Sequence, residues 1–369
     1  DAPAVGPPEA APVAAPGGSS GASDRRFGDA ADARSEGVDF NGYLRVGAEL
    51  VESDPRAQSV GRSDGFKLAQ ARLGVVAERG PLLAYVSVEA GVGEGDGLGD
   101  EGREPRLMLR DAFLRFEMSR LAEISLGRFK APYDIASLQR VIRRSFVDLP
   151  VGSRGVFPEQ GFAQEGLSQG RQIGLMLHRH RLGLGETLDL GYALAVTNGR
   201  TEDRLVNDDD TPAAFVRLNV HLERWFTAGL AGFVDRRSEG SLPDRFGREV
   251  MGGEISSVAE TEALYLEAQL LFQRTTFDVT GEPDRDALGL HARFGYRLGS
   301  FELSYRFALL DPDLDDLEGA DAVWEQTASL VYFLEGYPVR FLFNGTWVEE
   351  QEGRQLDNHR LAALVQMEL

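Results

Sequence analysis

The connections between strand-like segments constrain the fold of this chain most strongly. From Phe40 to Leu369, segments of about ten to fourteen residues alternate apolar and polar side chains, which is the period of a β-strand. Short turns such as Arg224-Trp225 and Gly299-Ser300 follow every second segment, and long polar connections follow the others. Short turns on one rim and long loops on the other are typical of β-barrels of the outer membrane. A soluble sandwich or propeller gives no reason for so strict an alternation.

The alternating segments predict an all-β fold, namely a transmembrane antiparallel β-barrel of about sixteen strands. An even strand number suits a barrel built from hairpins, and about ten residues suit a strand tilted across a bilayer. The predicted strands lie near residues 40–51, 66–78, 82–92, 106–118, 122–131, 171–181, 187–198, 213–223, 226–236, 248–259, 263–273, 287–298, 301–310, 323–334, 338–348 and 359–369.

Strand parity indicates which face of the sheet meets lipid. Between positions 288 and 298 every even position is apolar, while the odd positions hold Gly289, His291, Arg293, Gly295 and Arg297. A charge on the lipid face costs about 2–4 kcal/mol at the bilayer midplane, so the apolar face must point outward. Aromatic residues then form belts at both membrane interfaces. These are Phe272, Trp324 and Trp347 at the long-loop rim, and Phe40, Phe116, Phe226, Tyr296, Phe301 and Tyr332 at the short-turn rim.

Two segments fit the strand pattern poorly. Leu126 shares parity with Arg128 and Lys130, which predicts a bulge or an inward turn near Gly127. The segment 248–259 alternates weakly and is rich in small residues. Those small residues indicate either a contact between subunits or simply a poor strand.

Composition excludes several classes of function. The chain has 369 residues, a formal net charge of −20 and no cysteine, so disulfides, thiolate metal sites and a cysteine nucleophile are excluded. So acidic a chain is a poor partner for nucleic acid. No apolar run reaches the roughly eighteen residues of a membrane helix. Residues 1–37, rich in Ala, Pro and Gly, are predicted to be a disordered tail ahead of a barrel domain at 38–369.

One connection, 132–170, is far longer than connections in a compact fold usually are, which indicates a function of its own. We expect it to fold into the lumen after the fifth strand and to narrow the pore. Basic residues in it and just before it are predicted to form an anion-binding constriction: Arg128, Lys130, Arg140, Arg143, Arg144 and Arg154. By strand parity, four more arginines line the lumen nearby: Arg72, Arg115, Arg293 and Arg306.

Two uses of these basic residues remain open at this point. A guanidinium fork donates two hydrogen bonds to a carboxylate or phosphate, so a ring of arginines would favour anions in a narrow pore. Alternatively, the arginines pair with acidic residues and fix the loop to the wall. The candidate acidic partners are Asp111, Asp134, Asp148, Glu159 and Glu165. The remaining excess acid lies mainly in other long loops, where salt screens it over about 8 Å.

Several segments resemble the phosphate-selective porin O and P family. They are LRDAFLRF (109–116), LGRFKAPYDIASL (126–138), RRSFVDLPVGSRGV (143–156), YALAVTNGR (192–200) and LYLEAQLLF (264–272). The resemblance implies a sixteen-stranded outer-membrane barrel, commonly trimeric, whose long third loop constricts the pore. By position that loop is 132–170 here. The family's phosphate-selective members use a lysine-rich central site, whereas this chain has two lysines, Lys67 and Lys130, and ends in Leu369 instead of the usual Phe.

The sequence gives no indication of catalysis or of a cofactor. Its five histidines are spread over several strands. His178 and His180 would both face the lumen, but no third metal ligand is evident. The acidic run 311–321 has the Asp-x-Asp spacing of a calcium loop without its turn glycine or its bidentate Glu. We therefore predict no enzymatic activity, no cofactor and no metal site.

Together these patterns predict an outer-membrane porin of a Gram-negative bacterium. Its expected function is passive diffusion of small hydrophilic solutes with a modest preference for anions, phosphate or other oxyanions among them. Its expected partners are those solutes, outer-membrane lipid and, in a homotrimer, copies of itself. The chain begins at Asp1 without a Met or an apolar leader, which suits a mature chain after signal-peptide removal or a trimmed one. The alternative is a structural or partner-binding barrel whose lumen is sealed by the loop.

Overall fold

The computed structural model describes residues 37–57, 60–61, 64–91, 106–199, 211–239, 246–279, 281–316, 322–351 and 355–369. The predicted disordered tail, but for residue 37, and most of the long acidic loops lie outside these residues. What was predicted for them stays a prediction.

Within the described residues, sixteen antiparallel strands form one closed barrel. Its first five strands are β1 (Gly37–Val51), β2 (Gly65–Arg79), β3 (Leu82–Gly91), β4 (Arg106–Ser119) and β5 (Ala122–Lys130). Two very short strands, β6 (Gly155–Val156) and β7 (Gln164–Glu165), pair with each other outside the barrel sheet. The other eleven barrel strands are β8 (Arg171–Gly183), β9 (Leu188–Thr197), β10 (Ala213–Leu222), β11 (Phe226–Glu239), β12 (Phe246–Glu260), β13 (Leu264–Phe277), β14 (Arg285–Leu298), β15 (Phe301–Asp311), β16 (Val323–Phe333), β17 (Val339–Glu350) and β18 (Arg360–Glu368).

The predicted fold class is confirmed, and each barrel strand agrees with its predicted bounds to within four residues. Neighbouring strands pair in chain order except at two places. Strand β1 pairs with β18 from Tyr43↔Glu368 to Val51↔Arg360, which closes the barrel. Strand β5 pairs with β8, because the residues between them leave the sheet.

The two faces of the sheet have opposite character, as the parity argument requires. The predicted belt aromatics lie at outward-facing strand positions. On β15, outward-facing Leu303 is 59% exposed, whereas the alternate positions, such as Ser304 and Arg306, are polar and buried. Along β14, Phe294 and Tyr296 alternate with buried His291 and Arg293 in the same way. Apolar side chains therefore cover the outside of the cylinder and polar ones line its interior. A closed barrel with such an apolar outer surface is the architecture of Gram-negative outer-membrane proteins.

The segment between β5 and β8, residues 131–170, is the constriction loop. It contains two one-turn helices, α1 (Ile135–Leu138) and α2 (Val151–Arg154), and two 3₁₀ turns at Val141–Arg143 and Pro158–Gln160. Helix α2 packs against β14, β15 and β16. The loop thus lies inside the barrel, as its length predicted. In the described part of the chain, no helix is both long and apolar enough to span a membrane.

Candidate pore constriction

Apolar contacts set the constriction loop against the inner wall. The ring of Tyr133 meets that of Phe233 edge-on, with centroids 4.8 Å apart, and its hydroxyl donates to the main-chain oxygen of Gly253 at 3.0 Å. Val151 and Leu167 belong to the same buried cluster. This cluster explains why inward positions of β11 and neighbouring strands hold apolar residues, because they face the loop instead of water.

The loop and the wall approach each other closely at two glycines, Gly152 and Gly289. A Cβ atom added to Gly152 in α2 would lie 2.9 Å from the main-chain oxygen of Leu309 and 3.0 Å from the Cα of Gly289. Any side chain at position 152 would therefore push α2 away from β14 and β15. The φ angle of Gly152 is not in the left-handed region, so the backbone conformation does not require glycine. Glycine is required here because there is no space for a side chain.

A first anchor holds the start of the loop. The carboxylate of Glu254 on β12 accepts the main-chain N–H groups of Asp134 at 2.7 Å and Ile135 at 3.2 Å, and it also pairs with Arg217 at 2.8 Å. Asp134 has a φ of 65° and caps α1 by accepting the N–H of Ala136 at 3.1 Å. Because Asp134 is fully buried and close to Glu254, its pKa is raised above the ordinary value.

A second anchor holds the end of α2. Arg154 pairs with Glu325 on β16 at 2.5 Å and donates to the main-chain oxygen of Leu149 at 3.1 Å. Glu325 also pairs with Arg360, which in turn pairs with Asp148 at 3.3 Å. Burial would raise the pKa of Asp148, but the charges of Arg360 and Arg154 outweigh burial and lower it to about 2.

Between the two anchors, side chains of the wall donate to the main chain of the loop. The oxygen of Val141 accepts from Arg340 at 3.2 Å, that of Ser145 from Ser329 at 2.6 Å, that of Val147 from Arg45 at 3.1 Å and that of Asp148 from Arg306 at 2.7 Å. The loop is thus bound to the wall along its length, mostly through its main-chain oxygens, which every residue type has.

Four of the six predicted constriction residues lie within the loop, and they differ in exposure. Arg143 is exposed, Arg140 is half-buried, and Arg144 is buried with its guanidinium 3.3 Å from the main-chain oxygen of Gln139. Arg154 is buried in the second anchor. Of these four, Arg143 is the most exposed.

The other two predicted constriction residues end β5. Arg128 shares parity with Leu126, which is 57% exposed on the outer face, and its Nε donates to the main-chain oxygen of Arg110 at 3.1 Å. Lys130 is buried, and its ammonium group lies 3.4 Å from a main-chain oxygen of the constriction loop. Gly127 has a φ of 130°, so the backbone irregularity expected there is present.

The four arginines predicted to line the lumen all lie on the inner face. Arg72 is buried and pairs with Glu89 at 3.0 Å. Arg115 lies 3.8 Å from Glu123. Arg293 and Arg306 face the loop and both lie over the ring of Phe146, at 5.3 and 4.6 Å from its centroid.

The predicted acidic partners bind further groups besides the predicted arginines, although Asp111 also lies 3.8 Å from Arg72. Asp111 pairs with Arg171 at 2.9 Å, and Glu165 lies 4.0 Å from Arg248. Asp134 and Asp148 belong to the two anchors, and the side chain of Glu159 lies outside what the structure describes. Carboxylates therefore do fix the loop, but Glu254 and Glu325, which the sequence analysis missed, hold its two ends. Strand parity places both residues on the inner face, and this was the sequence signal that could have identified them.

The described histidine and acidic side chains do not form a metal-binding cluster. Among them, no group of three or more His, Asp or Glu residues is placed to hold a metal. The ring of His178 bonds to Ser125 at 2.9 Å. Residues 166–170, Gly-Leu-Ser-Gln-Gly, match the G-x-S-x-G motif of serine hydrolases. In those enzymes the motif lies in a sharp turn between a strand and a helix, whereas here it lies between strands β7 and β8.

Comparisons with known proteins find the same fold. No protein-family model and no curated protein match this chain, so the resemblance to the porin O and P family is not confirmed. The outer membrane channel DcaP of Acinetobacter baumannii has a TM-score of 0.61 and 13% identity over 90% of this chain and 97% of that chain. The anion-selective porin from Comamonas acidovorans also has a TM-score of 0.61 and 13% identity, over 90% and 99%.

The trimer form of OmpT from Vibrio cholerae has a TM-score of 0.55 and 11% identity, over 90% of this chain and 99% of that chain. At such low identities the likeness shows the fold and not the solute. The chain therefore has the fold of the outer-membrane porins, with a long loop bound inside the barrel.

Proposed function

We propose that this protein is an outer-membrane porin through which small hydrophilic solutes diffuse, with a modest preference for anions. A closed barrel with an apolar exterior, a polar interior and an inserted loop supports the channel. The resemblance in fold to an anion-selective porin agrees with it. Expected solutes include phosphate and other oxyanions, because guanidinium groups match their geometry.

The exposure of Arg143 is the observation that carries the anion preference. Most other cations at the loop lie against carboxylates or main-chain oxygens in buried positions, as do Arg154 and Arg360. A charge neutralised by a buried partner adds little to the potential that a passing ion meets, whereas an unneutralised charge at a narrow point of the pore contributes to that potential directly. One side chain is thus expected to dominate the selectivity.

Reversal potentials in planar bilayers under a KCl gradient test this assignment. The wild type should favour chloride, and Arg143→Gln should move the reversal potential toward zero or toward cation preference. Arg120→Gln, an exposed arginine in the turn between β4 and β5, is the matched control and should leave the potential unchanged. An Arg143→Gln pore with wild-type selectivity would refute the role of Arg143.

We also propose that the porin forms a homotrimer, as the trimer form of OmpT does. Mass measurement of the detergent-solubilised protein would show three copies. A stable monomer would contradict the trimer without affecting the channel.

A sealed structural barrel is the second candidate, and the double anchoring of the loop favours it. Such a barrel would give no stepwise conductance in the same bilayers and would co-purify with a partner. Stepwise currents in the wild type would reject it.

A further inference from the structure

Two buried arginines face each other directly on the wall behind the constriction loop. Arg293 on β14 and Arg306 on β15 are register partners on the inner face. Their exposed fractions are 7% and 4%. Like charges directly opposite on neighbouring strands repel, and burial strengthens that repulsion.

Both guanidinium groups bind only neutral acceptors among the described residues. Arg293 donates to the side-chain oxygens of Gln139 at 3.2 Å and Ser145 at 2.7 Å, and Arg306 donates to the main-chain oxygen of Asp148 at 2.7 Å. Neither has a carboxylate of the described part of the chain within ion-pair distance. By contrast, buried Arg217 has one at 2.8 Å. Each of the pair also keeps a buried Nε–H that has no hydrogen-bond partner among the residues that the structure describes.

A small cavity lies where these groups converge. It has a volume of about 20 Å³, and its lining includes Arg293, Arg306, Arg144 and Phe146 together with two acidic residues, Glu267 and Asp148. Such a volume holds one or two water-sized groups. Both acidic residues of the lining have other partners, because Glu267 accepts from His291 at 2.9 Å and from Gln139 at 3.2 Å, and Asp148 pairs with Arg360.

A buried charge is strongly destabilising when no counter-charge lies beside it. We propose that a monatomic anion of the size of chloride occupies this cavity as a resident ion between the loop and the wall. It would accept from Arg293 and Arg306, cancel their repulsion, and so stabilise the loop in its inserted position. The cavity is too small for a carboxylic acid or a sugar. This role goes beyond the proposed conduction, in which ions pass Arg143.

Bromide provides the direct test, because it replaces chloride and scatters anomalously. Crystals of the full chain grown in NaBr should show an anomalous peak between Arg293 and Arg306, and the peak should vanish in Arg306→Gln. The matched control Arg285→Gln, at a half-exposed arginine on the long-loop rim, should keep the peak. A wild-type map without bromide in the cavity would overturn the proposal.

A solution measurement covers the case in which Arg306→Gln does not fold. At equal ionic strength, the wild type should unfold about 1–3 °C higher in NaCl than in sodium gluconate, whose anion is too large for the cavity. The difference should saturate with chloride concentration. Identical unfolding temperatures in both salts would count against a resident anion. Because Arg143 plays no part in either readout, the proposed function stands or fails separately.

Discussion

Two stretches of the inner wall use buried arginines in opposite ways. On β2 to β4, across from the loop, Glu89 pairs with Arg72 at 3.0 Å and with Arg110 at 2.8 Å. On β14 to β17, behind the loop, Arg293, Arg306 and Arg340 donate to neutral oxygens. The first stretch is an ionic network within the wall, and the second is a set of donors directed at the loop.

The difference shows how one residue type serves two functions in the same lumen. In the paired stretch, charge is balanced locally, so removing Glu89 takes away a counter-charge that two buried arginines share. In the stretch behind the loop, arginine supplies hydrogen bonds to a main chain that has lost its water. Damage there should affect the position of the loop more than the stability of the barrel.

The paired stretch is the more sensitive one. Replacing Glu89 by Gln leaves Arg72 and Arg110 buried beside a neutral amide, and we expect a loss of about 3–5 kcal/mol in unfolding free energy. Urea unfolding followed by gel migration measures it. Glu117→Gln, at a 54% exposed partner of Arg179, is the control and should cost less than about 1 kcal/mol. Equal losses in both variants would contradict the distinction.

The contact between loop and wall comes next in size. Gly152→Ala places a Cβ against the Leu309 oxygen and Gly289, and overpacking of this kind costs about 1–3 kcal/mol. We also expect an altered single-channel conductance, since α2 must shift. Gly185→Ala, which meets no atom within 4 Å, should leave both stability and conductance unchanged. A normal conductance in Gly152→Ala would mean that the loop tolerates displacement.

The same comparison shows what sequence alone can provide. Side-chain alternation is a local property, so it predicts the sixteen strands and which positions face inward, Glu254 and Arg293 included. The residue that an inward side chain contacts is often far away in the sequence. Arg154 meets Glu325 across 171 positions and Arg340 meets Val141 across 199, so no spacing rule connects them. The sequence therefore identified the basic loop but not which of its cations is exposed.

Behind the loop, losing one donor should have a smaller effect. Arg340→Gln removes the hydrogen bond to Val141 and that to Gln366, at an expected cost of about 1.5 kcal/mol. The loop should then fluctuate more, which would appear as increased noise in the open-channel current. Single-channel recordings compare the variant with Arg285→Gln, which should stay quiet. A quiet Arg340→Gln channel would show that the two anchors alone position the loop.

The smallest expected effect is a pH dependence at the second anchor. The pKa of Asp148 is about 2 in the folded protein, below its ordinary 3.8, so its ionised form favours the folded state. This contribution is complete above the ordinary pKa and is lost as the pH falls from about 4 through 2. Because the side chain is 30% exposed, we expect only about 1 kcal/mol. Unfolding of Asp148→Asn should therefore depend less on pH in this window than unfolding of the wild type or of Asp278→Asn, an exposed control. If all three lose stability in parallel, Asp148 does not link the loop to Arg360 in the way the structure indicates.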